Sequence, residues 1–80
     1  MEKGKEMTPA QREIFLAIDE WWKKFGFGPT VSDILLVTGK KNRGDVHRKM
    51  KKLVELGICK ARPGMARSIR PADLRVRNII

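Results

Sequence analysis

The spacing of apolar side chains predicts a long amphipathic helix near the start of the chain. Its apolar positions are Ile14, Phe15, Ile18, Trp21, Trp22 and Phe25. At 3.6 residues per turn these side chains share one face, so we predict that they belong to the core. Thr8 is the expected N-cap, with Pro9 in the first turn and Gln11 at the capping-box position. Gly26 is expected to end the helix in a left-handed conformation.

A second, shorter helix is predicted after a turn rich in glycine. Thr30 is the expected N-cap, and Asp33, three residues later, complements the cap and the positive end of the helix dipole. Ile34 and Val37 are expected to face the core. Gly39 is expected to close this helix, because glycine adopts the left-handed conformation without strain.

A third helix is predicted from Asn42, its expected N-cap, to Gly57, its expected end. Its apolar stripe consists of Val46, Met50, Leu53 and Val54. The opposite face carries Gly44, Arg48, Lys51, Lys52 and Glu55, with His47 at its edge. One face of this helix is therefore suited to the core, and the other is polar and basic.

Beyond the third helix the pattern changes to that of a β-hairpin. Two short segments, 58–62 and 66–70, flank a Pro-Gly-Met turn, and Pro71 is expected to stop the second strand. The predicted fold class is mainly α with a small β-hairpin, arranged as a three-helix winged helix-turn-helix. The domain is expected to span 8–71.

The two ends of the chain are predicted to lie outside this domain. Residues 1–7 are polar and are expected to form a flexible N-terminus. Residues 72–80 form a C-terminal tail that alternates apolar and basic side chains. A further strand, a partner-binding edge and a disordered end are all compatible with that alternation.

Charge is distributed unevenly along the sequence. Residues 1–39 hold 5 Lys or Arg and 6 Asp or Glu, whereas residues 40–80 hold 13 and 3, for a total of +9. Like charges on one side of a small domain repel one another and add nothing to folding, so this separation indicates a polyanionic partner.

Other classes of protein are disfavoured by composition. One cysteine and one histidine allow neither an intramolecular disulfide nor a zinc cluster, and no nucleophile–base pair or paired carboxylates suggest an enzyme. We therefore expect no cofactor and no small-molecule ligand. No apolar run approaches the ~20 residues of a membrane span, and the N-terminus does not look like a signal peptide. These features favour a cytoplasmic protein in a reducing compartment.

A set of residues spread over 8–70 resembles the N-terminal DNA-binding domain of the LexA repressor family. The most specific elements are Gly-x-x-Pro-Thr at 26–30 and Gly-Ile at 57–58. The matching positions are Thr8, Gln11, Glu13, Phe15, Ile18, Gly26, Pro29, Thr30, Ile34, Gly39, Leu53, Gly57, Ile58, Arg67, Ile69 and Arg70. The resemblance implies a winged helix-turn-helix that binds double-stranded DNA as a transcriptional regulator.

The sequence also departs from that family. The side chains of 42–48 differ from the family's reading segment, so its operator sequence does not carry over. The given sequence ends where the family's self-cleaving, dimerising domain would begin, and we expect no role in self-cleavage. In this respect the chain is similar to small regulators of bacterial prophages.

The predicted mechanism places the third helix in the major groove and the basic hairpin on the flanking backbone. The residues expected to read bases are Asn42, Gly44, Asp45, His47 and Arg48. The residues expected to contact phosphates are Lys40, Lys41, Arg43, Lys51, Lys52, Lys60, Arg62, Arg67 and Arg70. Gly44 either allows close approach to DNA or marks a later helix start, and Asp45 either caps the helix or contacts cytosine.

Three alternatives to specific regulation follow from the same residues. The chain is a winged-helix module that binds an acidic protein, a non-specific nucleic-acid-binding protein, or a single-strand binder. The last requires exposed aromatic side chains, and the helical spacing places the aromatics in the core. With DNA as partner, we expect a repressor that forms a weak homodimer on its site.

Overall fold

The computed structural model describes residues 7–62, 64, 65 and 67–72. Three helices are followed by an antiparallel hairpin: α1 (Pro9–Phe25), α2 (Val31–Thr38), α3 (Arg43–Glu55), β1 (Cys59–Lys60) and β2 (Arg70–Pro71). This confirms the predicted helical fold with a small hairpin. The expected flexible segment at 1–6 and the tail at 73–80 lie outside the described residues, while Met7 packs against the core.

Side-chain caps start α1 and α2 where the sequence predicts them. In α1 the N–H of Gln11 donates to Thr8 Oγ1 at 3.1 Å, and the N–H of Thr8 donates to Gln11 Oε1 at 3.0 Å. The same reciprocal pair joins Thr30 and Asp33 at the start of α2, at 3.1 and 2.9 Å. Each box satisfies two backbone donors that a helix N-terminus would otherwise leave unpaired.

The start of α3 differs in one detail. The N–H of Asp45 donates to Asn42 Oδ1 at 2.9 Å, so Asn42 is the N-cap as predicted. The Asp45 carboxylate does not return to the cap, because it accepts a hydrogen bond from Lys49 Nζ at 2.6 Å. The cap is therefore one-sided, and Asp45 serves an ion pair instead.

The core lies where the three helices and the hairpin meet. Its buried apolar residues are Ile14, Ile18, Ile34, Val46, Met50, Leu53, Cys59 and Ile69. Each helix contributes through the stripe that its spacing predicts, and the hairpin closes one side with Cys59 and Ile69. The hairpin is thus part of the core as well as a surface feature.

Two side chains assigned to the core are exposed. Phe25 is 48% exposed, because it is the last residue of α1, where its ring packs against Trp21 instead. Val37 is 52% exposed. The side of α2 that meets the core carries Val31, Ile34 and Leu35, and Val37 lies about 110° from its centre. The prediction of an inward Val37 is therefore wrong.

The hairpin is shorter than predicted. Each strand has two residues, and Pro71, paired with Cys59, is the last residue of β2, so the second strand ends at the predicted proline. A proline is tolerated at a strand edge where its partner needs no N–H. Beyond the two-residue strands, the Ser68 hydroxyl replaces a backbone partner by accepting a hydrogen bond from the N–H of Arg62 at 2.9 Å.

Candidate nucleic-acid interface

The outer face of α3 is held in place by the buried face behind it. Val46, Met50 and Leu53 are buried among the other elements. The residues on the opposite face are all exposed: Gly44, Arg48, Lys51, Lys52 and Glu55, with His47 exposed beside them. Because the apolar side fixes the rotation of the helix, the basic side is presented to solvent as one surface.

Arg48 lies near the middle of this surface and is largely exposed. Its side chain is 74% exposed, and its nearest acidic oxygen, Asp45 Oδ1, is 3.8 Å away. At that distance the pair is loose, and an exposed pair of this kind is worth little. The guanidinium group is therefore available for another acceptor.

The Asp45 carboxylate is paired with cations of its own helix. The hydrogen bond from Lys49, followed by the charges of Lys49, Arg48 and Lys40, lowers the pKa of the Asp45 carboxyl below its usual value. A carboxylate held this way remains ionised and shared between cations. The predicted roles of Asp45 are a side-chain cap or a free acceptor for cytosine. This geometry matches a third role better, in which the carboxylate pairs with Lys49 and lies near Arg48.

Gly44 lies in the first turn of α3, since the helix begins at Arg43. The alternative of a later helix start is therefore wrong. A β-carbon added at Gly44 would be 3.6 Å from Asn42 Oδ1 and 3.8 Å from Arg48 Nη1, which is ordinary contact. No neighbour within the described part of the chain requires a glycine here.

The basic residues before α3, at its start and on its outer face differ in whether an acidic side chain pairs with them. Lys40 Nζ lies 3.0 Å from Glu13 Oε1, which ties the α2–α3 connection to α1. Arg43 donates to the neutral hydroxyl of Ser32 at 2.5 Å, so its charge is not balanced. Within the described part of the chain, Lys41 and Lys51 make no ion pair, and Lys52 approaches Glu55 only at 4.0 Å.

Four basic residues of the hairpin are exposed: Lys60, Arg62, Arg67 and Arg70. Over the described residues, the side chains of Lys60 and Arg62 meet no carboxylate. The hairpin therefore extends the positive surface of α3.

Arg67 is engaged within the protein. Its Nη1 lies 3.0 Å from Asp33 Oδ2 and 3.4 Å from the Gly28 carbonyl oxygen, and its guanidinium carbon lies 5.1 Å from the centre of the Phe27 ring. Its backbone is left-handed, with φ of 60°, which is uncommon for a side chain larger than glycine's. We call these contacts of Arg67 with the α1–α2 turn and with Asp33 in the first turn of α2 the hairpin latch.

In the α1–α2 turn, the hairpin latch depends on Gly28. The Gly28 N–H donates to the Arg67 carbonyl at 3.1 Å, and a β-carbon at Gly28 would lie 2.8 Å from that oxygen and still closer to the Ile69 carbonyl. Trp22 Nε1 also donates to the Ile69 carbonyl, at 2.8 Å. Sequence reasoning missed Gly28, Trp22 and Asp33 as partners of the hairpin, because contacts across 34 to 47 residues leave no local pattern.

The Asp33 carboxylate joins the α2 cap to the hairpin latch. Its hydrogen bond from the Thr30 N–H lowers its pKa most, with smaller contributions from the Thr30 hydroxyl and the Arg67 charge, against the opposing effect of burial. One acidic side chain thus stabilises both a helix start and the docking of the hairpin.

The aromatic residues are more exposed than the sequence suggests. Phe25 and Phe27 are 48% and 41% exposed, and their ring centroids lie 5.8 Å apart. Phe15 and Trp22 pack against the core as predicted, whereas Phe25, the last residue of α1, does not. The rings of Trp21 and Phe25 pack on one another, with their centroids 4.4 Å apart.

Other site chemistries find little support in the described residues. No group of three His, Cys, Asp or Glu side chains there is placed to hold a metal ion. Burial raises the pKa of the Cys59 thiol to about 12, which keeps it protonated in the core. No helix in the described ranges is long and apolar enough to cross a membrane.

No protein-family model matches the chain, and no curated protein matches it. The resemblance to the LexA DNA-binding domain therefore stays a prediction from the residues. Function has to follow from the charges and geometry of the described part of the chain.

Proposed function

We propose that this chain is a sequence-specific regulator of transcription that binds double-stranded DNA and acts as a repressor in the cytoplasm, on the nucleoid. One observation carries the proposal: α3 presents Arg48, Lys51 and Lys52 on an exposed face while its opposite face is buried. The major groove admits one α-helix, and arginine paired with guanine is the commonest specific contact there.

The remaining cations support the same orientation. Lys41 precedes α3, Arg43 is its first residue, and Lys60 and Arg62 follow on the hairpin, so positive charge lies on both sides of the helix. Phosphate contacts of this kind fix the register of a protein on DNA, and base contacts add selectivity. Repression is the simplest outcome, since occupying a site requires no further activity.

One copy of so small a domain makes a small interface. A single module of this size buries roughly 600–1,000 Å² on DNA, less than most specific complexes. We therefore propose that two copies bind a site with two-fold symmetry, through weak association that DNA reinforces.

The test is selection of binding sites from random duplex DNA at fixed salt. We expect an enriched motif with two related halves. If about five phosphates are neutralised, log affinity should fall against log salt with a slope near −4 to −5. An affinity that does not depend on salt concentration would contradict the proposal. Salt-dependent binding without a sequence motif would indicate a non-specific nucleic-acid-binding protein.

Two substitutions in α3 distinguish base recognition from phosphate binding. Arg48→Ala should cost ~1–3 kcal/mol on the selected site and relax preference at one base position. Lys51→Ala, the matched control one turn away, should weaken all sequences alike and reduce the salt slope by about 1. If Arg48→Ala weakens binding to selected and unrelated DNA by the same factor, Arg48 contacts phosphate only.

A further inference from the structure

A groove runs between α3, the start of α2 and the hairpin. Its volume is about 580 Å³. Its floor is apolar and includes Val31, Met50, Val54 and Met65, and its rim includes Lys51 and Arg62. Among the described residues, no acidic side chain lines it.

The charges along the rim are open to an anion. Lys51 and Arg62 make no ion pair with any described residue, whereas Arg67, also at the rim, is held by Asp33. The groove therefore combines an apolar floor with unbalanced positive charge at its edges. An occupant with apolar surface and regularly placed negative charge would complement both.

The position of the groove identifies such an occupant. It separates α3 from the hairpin, so a duplex with α3 in its major groove and the hairpin over the adjacent minor groove must pass one strand across it. A DNA strand carries phosphates on its outside and apolar deoxyribose carbons between them. Phosphates would meet Lys51 and Arg62, and the sugars would meet Met50, Val54 and Met65.

We propose that this groove seats one deoxyribose–phosphate strand of the duplex and that its apolar floor selects DNA over RNA at the seated nucleotides. The inference rests on the proposed function, since it requires a duplex on α3. A ribose would bring its 2′-hydroxyl against carbon atoms without a hydrogen-bonding partner, which is costly. The floor would thus act as a sensor for the missing hydroxyl.

Met65 is the side chain of the floor most open to such contact. It is 57% exposed and lies between the basic residues Arg62 and Arg67. Its backbone is fixed: the Met65 N–H donates to the Arg62 carbonyl at 3.1 Å, and the Ser68 hydroxyl donates to the Met65 carbonyl at 2.9 Å. A side chain presented from a fixed backbone loses less entropy on binding.

The first experiment compares Met65→Gln with Leu36→Gln. Glutamine keeps the approximate length of both side chains, and Leu36, 79% exposed on α2, does not line the groove. Met65→Gln should weaken binding to the selected duplex roughly 5- to 10-fold with an unchanged salt slope, because apolar contact is lost and no charge is. Leu36→Gln should bind as the unaltered protein does.

The second experiment replaces single deoxyribonucleotides of the selected duplex by ribonucleotides, one position at a time. One or two positions between the contacts of α3 and those of the hairpin should weaken binding roughly 5- to 100-fold. In Met65→Gln this penalty should shrink, because the amide can pair with the hydroxyl. A flat profile along the strand overturns the inference.

Methyl resonances of the methionines show what occupies the groove. On addition of duplex, the signals of Met50 and Met65 should shift, and that of Met7, outside the groove, should not. Shifts that follow protein concentration without DNA would assign the groove to a second copy. Shifts caused by an acidic peptide of glutamate and leucine, but not by duplex, would assign it to a protein partner. Either result overturns the inference.

The experiments distinguish failure of the proposed function from failure of this inference alone. If the unaltered chain does not bind duplex DNA, the proposed function fails and this inference fails with it. If it binds DNA with a motif and the expected salt slope, but Met65→Gln matches Leu36→Gln, only the seating of the strand is wrong.

Discussion

Gly44 is the residue of α3 whose presence folding explains least. A glycine in a helix interior costs about 1 kcal/mol relative to alanine, and the space around Gly44 would accept a β-carbon. Its φ is not in the left-handed region, so the backbone does not demand glycine either. Under the proposed function, close approach of the duplex to the first turn of α3 accounts for a glycine here.

Gly44→Ala should therefore raise the free energy of unfolding by ~0.5–1 kcal/mol while weakening binding to the selected duplex. Urea denaturation and DNA titration of the same preparation measure the two effects. A variant that is more stable and binds DNA equally well would show that Gly44 does not face the duplex.

Arg62 and Arg67 illustrate how one residue type takes different roles five positions apart. Both are exposed and basic, and the sequence assigns both to the phosphate backbone. The structure places Arg67 against Asp33, Gly28 and Phe27, whereas Arg62 meets no carboxylate among the described residues. At residue scale, formal charge alone does not separate a binding contact from an internal one.

The hairpin is the element least able to stand alone. Its strands have two residues each, and isolated two-stranded hairpins are marginal in water. It is held by the hairpin latch, by Trp22 on the Ile69 carbonyl, and by Cys59 and Ile69 in the core. Whatever the hairpin does on DNA depends on these contacts with α1 and the α1–α2 turn.

Gly28→Ala should detach or displace the hairpin. The added carbon would meet the carbonyls of Arg67 and Ile69, which are backbone atoms and cannot rotate away. We expect a loss of ~1–3 kcal/mol in the free energy of unfolding and faster hydrogen exchange at the Gly28 and Ala72 amides. Gly44→Ala is the matched control, because an added β-carbon there makes only ordinary contacts with side-chain atoms. Unchanged exchange at both amides would contradict the role given to Gly28.

The whole molecule depends on few buried groups, so single contacts matter to its stability. An 80-residue chain buries a smaller fraction of its surface than a larger domain, and its net stability is correspondingly small. Asp33 contributes at two points of this small structure, the α2 cap and the hairpin latch. Its protonation should therefore be visible in global unfolding.

Because folding lowers the pKa of Asp33, its contribution is present above the unfolded value and is lost as the pH falls below about 4. Asp33→Asn should lower the free energy of unfolding by ~1 kcal/mol near pH 7, the size of a helix-cap contribution, and the difference should vanish toward acid pH. Denaturation across pH measures it. Glu20→Gln removes an equal charge where no ion pair is described and should show a smaller effect. A difference that persists in acid would contradict the assignment.

The sequence by itself determined the elements and their inner faces. Capping residues and glycines act within a few positions of where they stand, so Thr8, Thr30, Asn42, Gly26 and Gly39 mark helix ends without knowledge of the fold. Helical period likewise selects Ile14, Ile18, Val46 and Leu53 for the core. The basic outer face of α3 follows from the same period.

Only the tertiary structure decided which cations pair with carboxylates within the described residues and which contacts hold the hairpin. Arg67, Asp33, Gly28 and Trp22 meet across long stretches of chain, and no local spacing encodes such a meeting. The exposure of Phe25 and Val37 likewise depends on where neighbouring helices end. Periodicity records which way a side chain points from its own helix axis. Burial and ion pairing depend on what other elements bring to the same place.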